Sequence, residues 1–176
     1  PQRVDNQMQW ESDRLSGPRC EQHERELDWF ISHLNDTDRI LVIGSKHGGL
    51  DHQIKTRLPL VRTVSVDISP AQDNAEQCIV GNSKNPEVQA LAENKGPFDV
   101  VFIDGDHSLA GVRSDWEWCK TLNPRLVAFH DIADAIKHKN EGCFVDRLWK
   151  ELKSSTRSTK EMIVGCGWGG IGIVEL

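Results

Sequence analysis

The 176-residue chain contains no tyrosine and only two methionines. It also lacks any run near the ~18–20 consecutive apolar residues that a membrane-crossing helix needs, so no membrane span is expected within these residues. No charged-then-apolar leader opens it. Its first residue is Pro1, which leaves room for a natural start further upstream. Positive charge is not in excess either. A net charge of −6 argues against a nucleic-acid surface, which would show a basic stripe. No Asn/Asp-Pro-Pro-Tyr/Phe base-flipping segment is present. The cluster Arg147, Lys150, Lys153, Arg157 and Lys160 reads as the solvated face of a late helix. C-x-x-C pairs are missing too: Cys20, Cys78, Cys119, Cys143 and Cys166 are odd in number and far apart. That excludes a disulfide framework or a zinc ribbon and points to reduced thiols in a cytoplasmic protein.

What remains is the pattern of a globular α/β domain of a size that supports one core. Residues 1–19 are polar, with a break at Gly17-Pro18, and read as an N-terminal arm; 20–176 read as a single domain. Leu27, Phe30, Ile31 and Leu34 fit one face of a helix over 20–34. Strands are expected at Arg39–Gly44, Thr63–Asp67, Gln77–Val80, Phe98–Ile103 and Leu126–Phe129. Helices fall between them: Gly49–Arg57, a helix or turn opened by Ser69-Pro70, Pro86–Asn94 and Ala110–Cys119. A further helix covers Cys143–Leu152. Glu161–Cys166 and Gly170–Glu175 are strand-like runs joined by Gly167-Trp168-Gly169, a link that only an antiparallel hairpin accommodates. The expected fold is therefore a Rossmann-like α/β sheet of seven strands, mostly parallel, with a C-terminal antiparallel hairpin and helices on both faces.

The most informative stretch is Phe98–His107, an apolar strand that ends abruptly in Asp104, Gly105, Asp106 and His107. Leu126–Phe129 ends similarly, in His130-Asp131. Ligands of open parallel sheets bind beyond the carboxyl ends of the strands. Two adjacent strands ending in Asp/His clusters thus make one polar site, suited to a divalent metal, to proton transfer, or to both. A capped turn and a satisfied strand-end pair are the plainer alternatives. Gly44-Ser45-Lys46-His47-Gly48-Gly49 follows the first strand and opens a helix. Its glycines admit close backbone approach, and the helix start offers free N–H groups, although a simple tight turn would look the same. Asp67 ends the second strand 23 residues after Gly44, near the ~20-residue spacing at which a carboxylate grips ribose hydroxyls. Gly81-Asn82-Ser83 offers amide and hydroxyl groups to an adenine edge, or forms a turn. His23, His33, His52 and His138 read as surface or packing residues.

Taken together, LVIGSKHGG (Leu41–Gly49), VSVD (Val64–Asp67), Gly81–Ser83, FDVVFIDGDHS (Phe98–Ser108), VAFHDI (Val127–Ile132) and GGIGIV (Gly169–Val174) resemble the class I S-adenosylmethionine-dependent methyltransferases. Within them the chain is most similar to the group of cephalosporin-hydroxylase-like proteins and macrolide and aminocoumarin sugar O-methyltransferases. The resemblance implies that Gly44, Ser45 and Gly48 line the methionine part of S-adenosylmethionine and that Asp67 holds the ribose. It implies that Asn82 and Ser83 lie by the adenine, although the family often has Asp at the position of Asn82. Asp104, which borders the cofactor, and the pair His130-Asp131 match the ligands for Mg2+ or another divalent cation. The pair is commonly acidic in the family; His130 suits a softer ion, or points elsewhere. Asp106 and His107 stand where related enzymes carry a catalytic base.

The implied reaction is methyl transfer to an oxygen of a small hydroxylated acceptor. Asp104 and Asp131 are expected to face one another closely enough to share an ion. The larger members carry a lid over the acceptor site, and only residues 1–34 are placed to provide one here. An open site, or a homo-oligomer or partner subunit completing it, follows. The alternative is a non-catalytic, methyltransferase-like cofactor-binding or interaction module. A nicotinamide oxidoreductase is disfavoured by the missing G-x-G-x-x-G and by the terminal hairpin.

Overall fold

A computed structural model describes residues 20–69, 77–155, 158–165 and 167–176. The expected arm over 1–19, the turn begun at Pro70, Arg157 and Cys166 lie outside the described residues. In chain order the elements are α1 (Glu24–Ile31), β1 (Arg39–Ile43), α2 (Gly49–Arg57), β2 (Arg62–Asp67), β3 (Cys78–Val80), α3 (Pro86–Glu93), β4 (Val100–Ile103) and α4 (Leu109–Thr121). They continue with β5 (Leu126–His130), α5 (Ile136–Asn140), α6 (Val145–Ser155), β6 (Thr159–Met162) and β7 (Ile171–Glu175). The described strands form one seven-stranded sheet in the order β3-β2-β1-β4-β5-β7-β6. β1 to β5 run parallel, and β7 pairs antiparallel with both β5 and β6.

The central strands are apolar on both faces because helices cover both. Leu41, Ile43, Val101, Ile103, Val127 and Phe129 pack with Val112 and Trp116 of α4 and Leu148 and Trp149 of α6. The alternate residues Ile40, Val42, Val100, Phe102 and Ala128 pack with Leu27 and Phe30 of α1 and Leu50 and Ile54 of α2. This strict alternation fixes register, since a one-residue slip would exchange the two cores. α3 starts at an Asn85 cap with Pro86 in its first turn, and α4 starts at a Ser108 cap whose hydroxyl accepts the Gly111 N–H.

The C-terminal hairpin departs from expectation in its link. β6 begins at Thr159 and ends at Met162, so residues 163–170 all belong to the connection. Backbone groups of the loop bond to other elements. The buried Glu26 carboxylate of α1 accepts the N–H groups of Val164 (2.9 Å) and Gly170 (3.0 Å). Gly169 and Gly170 carbonyls in turn accept the N–H groups of Ala133 and Ile132. Lys160 consequently lies on β6, not on the late helix, and α6 begins two residues after Cys143. The short α5 was not expected: IKHKN carries no apolar periodicity. Cys20, Cys78, Cys119 and Cys143 are free thiols, as the spacing suggested. Among the described residues no helix is long and apolar enough to cross a membrane.

Glu26→Ala should therefore cost about 2–4 kcal/mol of stability, because two backbone N–H groups lose a charged acceptor. Urea unfolding checks this; a loss within about 0.5 kcal/mol of zero, the range of an ordinary surface substitution, would contradict the clamp.

Candidate active site

Register sets the site. Ile43 lies opposite Val66 and Ile103, and Ile103 opposite Phe129. Gly44, Asp67, Asp104 and His130 therefore leave the sheet side by side at its carboxyl edge. Gly44 donates to the Val66 carbonyl, and Asp104 N–H to the Ile43 carbonyl. Gly44 has φ +85°, and a Cβ there would sit 2.1 Å from the Asp104 carbonyl oxygen, so no other residue fits.

A cavity of about 760 Å³ opens above this edge, with Gly44, Ser45, Asp67, Asn82, Ser83 and Asp104 in its wall. Ser45 Oγ is buried and unpartnered there. Asp67 accepts the backbone N–H groups of Lys46 (2.7 Å) and Ser69 (2.8 Å), which aims its carboxylate while leaving lone pairs for further donors. Gly48 is set back: in a left-handed conformation it caps α2, and Gly49 reaches the cavity. Asn82 Oδ1 accepts the Lys84 N–H, closing a turn, and Ser83 Oγ donates to Asp115 Oδ1 at 2.7 Å. Asp106 also lines this cavity, where it accepts from Lys84 Nζ and from the Ser108 N–H.

Behind the shared wall lies a second cavity of about 360 Å³, which has Asp104, His107, His130, Asp131, His138 and Cys143 in its lining. His107 Nε2 is 3.1 Å from Asp104 Oδ1, and its Nδ1 is 3.4 Å from Asp131 Oδ2. His130 Nδ1 is 3.3 Å from Asp104 Oδ1 and 3.4 Å from Asp131 Oδ1. Neighbouring strand residues normally point to opposite faces, but Asp131 takes φ +59°, which folds its carboxylate back beside His130. Burial disfavours charge on all four groups, and their mutual attraction outweighs it. His107 is pushed up to about 11 and His130 well above the usual imidazole range, while Asp104 and Asp131 are held below the usual carboxylate range.

Thus Asp104, His107, His130 and Asp131 come together, whereas Asp106 is engaged by Lys84 on the other side of the shared wall. Several participants carried no readable signal. Gln22 Nε2 donates to Asp104 Oδ2 at 2.8 Å from a segment distant in sequence. His138, expected to be a surface or packing residue, is buried; its Nε2 lies 3.2 Å from Asp131 Oδ1, and its Nδ1 pairs with the Ala133 carbonyl. Cys143 sits beside His107 and Asp131.

No protein-family model matches the chain. No curated protein matches it in sequence. Solved structures do match. The MycE methyltransferase of the mycinamycin biosynthetic pathway, in complex with Mg and SAH, is 22% identical, with a TM-score of 0.59 over 86% of this chain and 47% of that one. The O-methyltransferase from Bacillus cereus, in complex with SAH, is 17% identical, with a TM-score of 0.59 over 86% and 79%. An O-methyltransferase family protein from Burkholderia thailandensis is 14% identical, with a TM-score of 0.62 over 86% and 55%. The chain thus spans about half the length of MycE. Its fold is the one these O-methyltransferases share.

Asp115 of α4 gives the site a measurable pH signature. Burial pushes its carboxyl up to about 6, against the opposing effects of Ser83 and of the Lys84 charge; Asp106 nearby raises it further. Its Oδ2 is buried without a partner. Between about pH 4 and pH 6 the folded state binds the extra proton, so this group's contribution to stability falls as pH rises through that window, by about 2–3 kcal/mol in all. Asp115→Asn should remove that slope. Urea unfolding of both proteins at about pH 4.5 and pH 8 should show the variant gaining relative to wild type at the higher pH; a difference that does not change with pH would contradict the assignment.

Proposed function

We propose that this chain is an S-adenosylmethionine-dependent methyltransferase domain that methylates an oxygen of a small hydroxylated acceptor with the help of a divalent cation. The observation that carries the reading is the junction of the two cavities: the larger and the smaller share Asp104 and His107 in their walls. A donor in one and an acceptor in the other would meet at those two residues.

The residues of the larger cavity suit the cofactor. Asp67 has lone pairs for two vicinal ribose hydroxyls, and the unpartnered Ser45 Oγ and the bare Gly44 backbone suit the methionine end. Asn82 and Ser83 are placed for the adenine edge. The bound cofactor supplies an activated sulfonium methyl group. What the protein must add is alignment of acceptor oxygen, methyl and sulfur, together with removal of a proton. MycE and the Bacillus cereus enzyme were both solved with SAH, and MycE with Mg as well, which supports the choice of cofactor and cation.

Asp104, His130 and Asp131 would hold the cation, their ligand atoms all lying within 4.8 Å of one another. A divalent ion held there would supply positive charge that lowers the acceptor hydroxyl's pKa and opposes protonation of His107. His107 faces the smaller cavity with carboxylates at both ring nitrogens, which makes it a strong base once its own proton has left. Asp106, in the wall of the larger cavity, is paired with Lys84 and would take a supporting role there. Trp168 and Lys137, 5.6 Å apart as a cation–π pair, stand in the lining of the smaller cavity and would meet the acceptor.

Calorimetry should detect S-adenosylhomocysteine binding that Asp67→Ala weakens by roughly 10–100-fold, the worth of ~1.5–3 kcal/mol of charged hydrogen bonds. Methyl transfer from labelled S-adenosylmethionine to diol-bearing acceptors should fall by at least ~10²-fold in Asp104→Asn. Tight NADH binding in place of S-adenosylhomocysteine, or an Asp67→Ala variant of unchanged affinity, would contradict the reading.

A further inference from the structure

The donors at the junction are chemically mixed. Two overlapping groups, Asp104/His130/Asp131 and His107/Asp131/Cys143, each keep their ligand atoms within 4.8 Å of one another and share Asp131. We propose that this cluster selects a borderline transition ion of the Zn2+ and Co2+ kind over Mg2+, with imidazole nitrogen and the Cys143 thiol among its donors. The inference deepens the cation role proposed above and rests on it.

Three observations lead there. First, Mg2+ demands near-octahedral oxygen coordination and keeps several waters, whereas imidazole and thiolate suit Zn2+ and its neighbours. His130 cannot swing aside to vacate its position. It is 3% exposed, its ring stacks on Phe102 with centroids 6.5 Å apart, and its Nδ1 faces both carboxylates. Second, the spacings suit a small ion. In the first group His130 Nδ1 lies 3.3 Å from Asp104 Oδ1 and 3.4 Å from Asp131 Oδ1. A tetrahedron with bonds of ~2.0–2.1 Å has edges of about 3.3–3.4 Å. Third, outer partners orient the donors as at built metal sites. Gln22 occupies Asp104 Oδ2 and leaves Oδ1 facing the imidazoles, and His138, anchored on the Ala133 carbonyl, abuts Asp131 Oδ1. Asp131 is held in a left-handed conformation that brings its carboxylate to the cluster, the sort of local strain that surrounding structure must support. Cys143 is 5% exposed, and its sulfur lies within 4.8 Å of ligand atoms of His107 and Asp131. Coordination would release its thiol proton to solvent.

The test uses the whole chain. In equilibrium dialysis against Zn2+ with Mg2+ in large excess, the protein should retain one Zn2+ per chain by elemental analysis. Co2+ should give visible bands together with a near-ultraviolet thiolate charge-transfer band, which Cys143→Ser removes. His130→Asp should lower Zn2+ affinity at least ~10-fold and shift preference toward Mg2+. Displacement of Zn2+ by Mg2+, or no stoichiometric retention because protons on the imidazoles already neutralise the carboxylates, would overturn the proposal. A charge-transfer band that survives Cys143→Ser would remove the thiol from it. The wild-type competition stands even if a variant fails to fold. S-adenosylhomocysteine binding, measured alongside, separates the two claims: cofactor binding without Zn2+ retention defeats only the metal inference, and Zn2+ retention without cofactor binding defeats the function proposed above.

Discussion

Two carboxylates buried beside the same pair of imidazoles cannot both carry charge without positive charge between them. Asp104 and Asp131 stand in that relation, each 3.1–3.4 Å from ring nitrogens of His107 and His130. Much of the surrounding structure serves to hold them there. β4 and β5 end at the same level because Ile103 pairs with Phe129. Asp131 turns back through a left-handed conformation, Gln22 pins the outer oxygen of Asp104, and His138 abuts Asp131. Even the C-terminal hairpin takes part: backbone groups of its loop bond to Glu26, Ile132, Ala133 and His138.

The second constraint is close backbone approach between β1 and β4, where the strand order reverses. Only glycine at position 44 lets the two strand ends lie against each other. That contact opens the larger cavity on one side of Asp104 and the smaller on the other, so that its carboxylate borders both. Topological switch points of open sheets are where ligands collect, and here the switch point places Asp104 in a wall that donor and acceptor would share.

The central sheet is legible in the sequence because β1, β4 and β5 are buried on both faces and read as continuous apolar runs, while β2 alternates Val64 and Val66 with Thr63 and Ser65. Their ends are legible too, because Gly44, Asp67, Asp104 and His130-Asp131 interrupt those runs abruptly. β6 is less so: TKEM is an exposed edge strand, and its polar residues give no period to follow. Gln22, Glu26, Asp115 and His138 were beyond reach for a different reason. Gln22, Glu26 and Asp115 act across long sequence separations, and His138 reaches Asp131 through a short helix without apolar period, so local pattern contains no trace of their roles. Asp106 shows the converse. It sits in the motif beside His107, yet its carboxylate is committed to Lys84 and the start of α4.

The most direct measurement is a crystal structure of the chain with S-adenosylhomocysteine. The account predicts the ribose hydroxyls on Asp67 and the thioether sulfur at the Asp104–His107 wall, facing the smaller cavity. A ligand lodged in the smaller cavity, or one whose sulfur points away from Asp104, would contradict it.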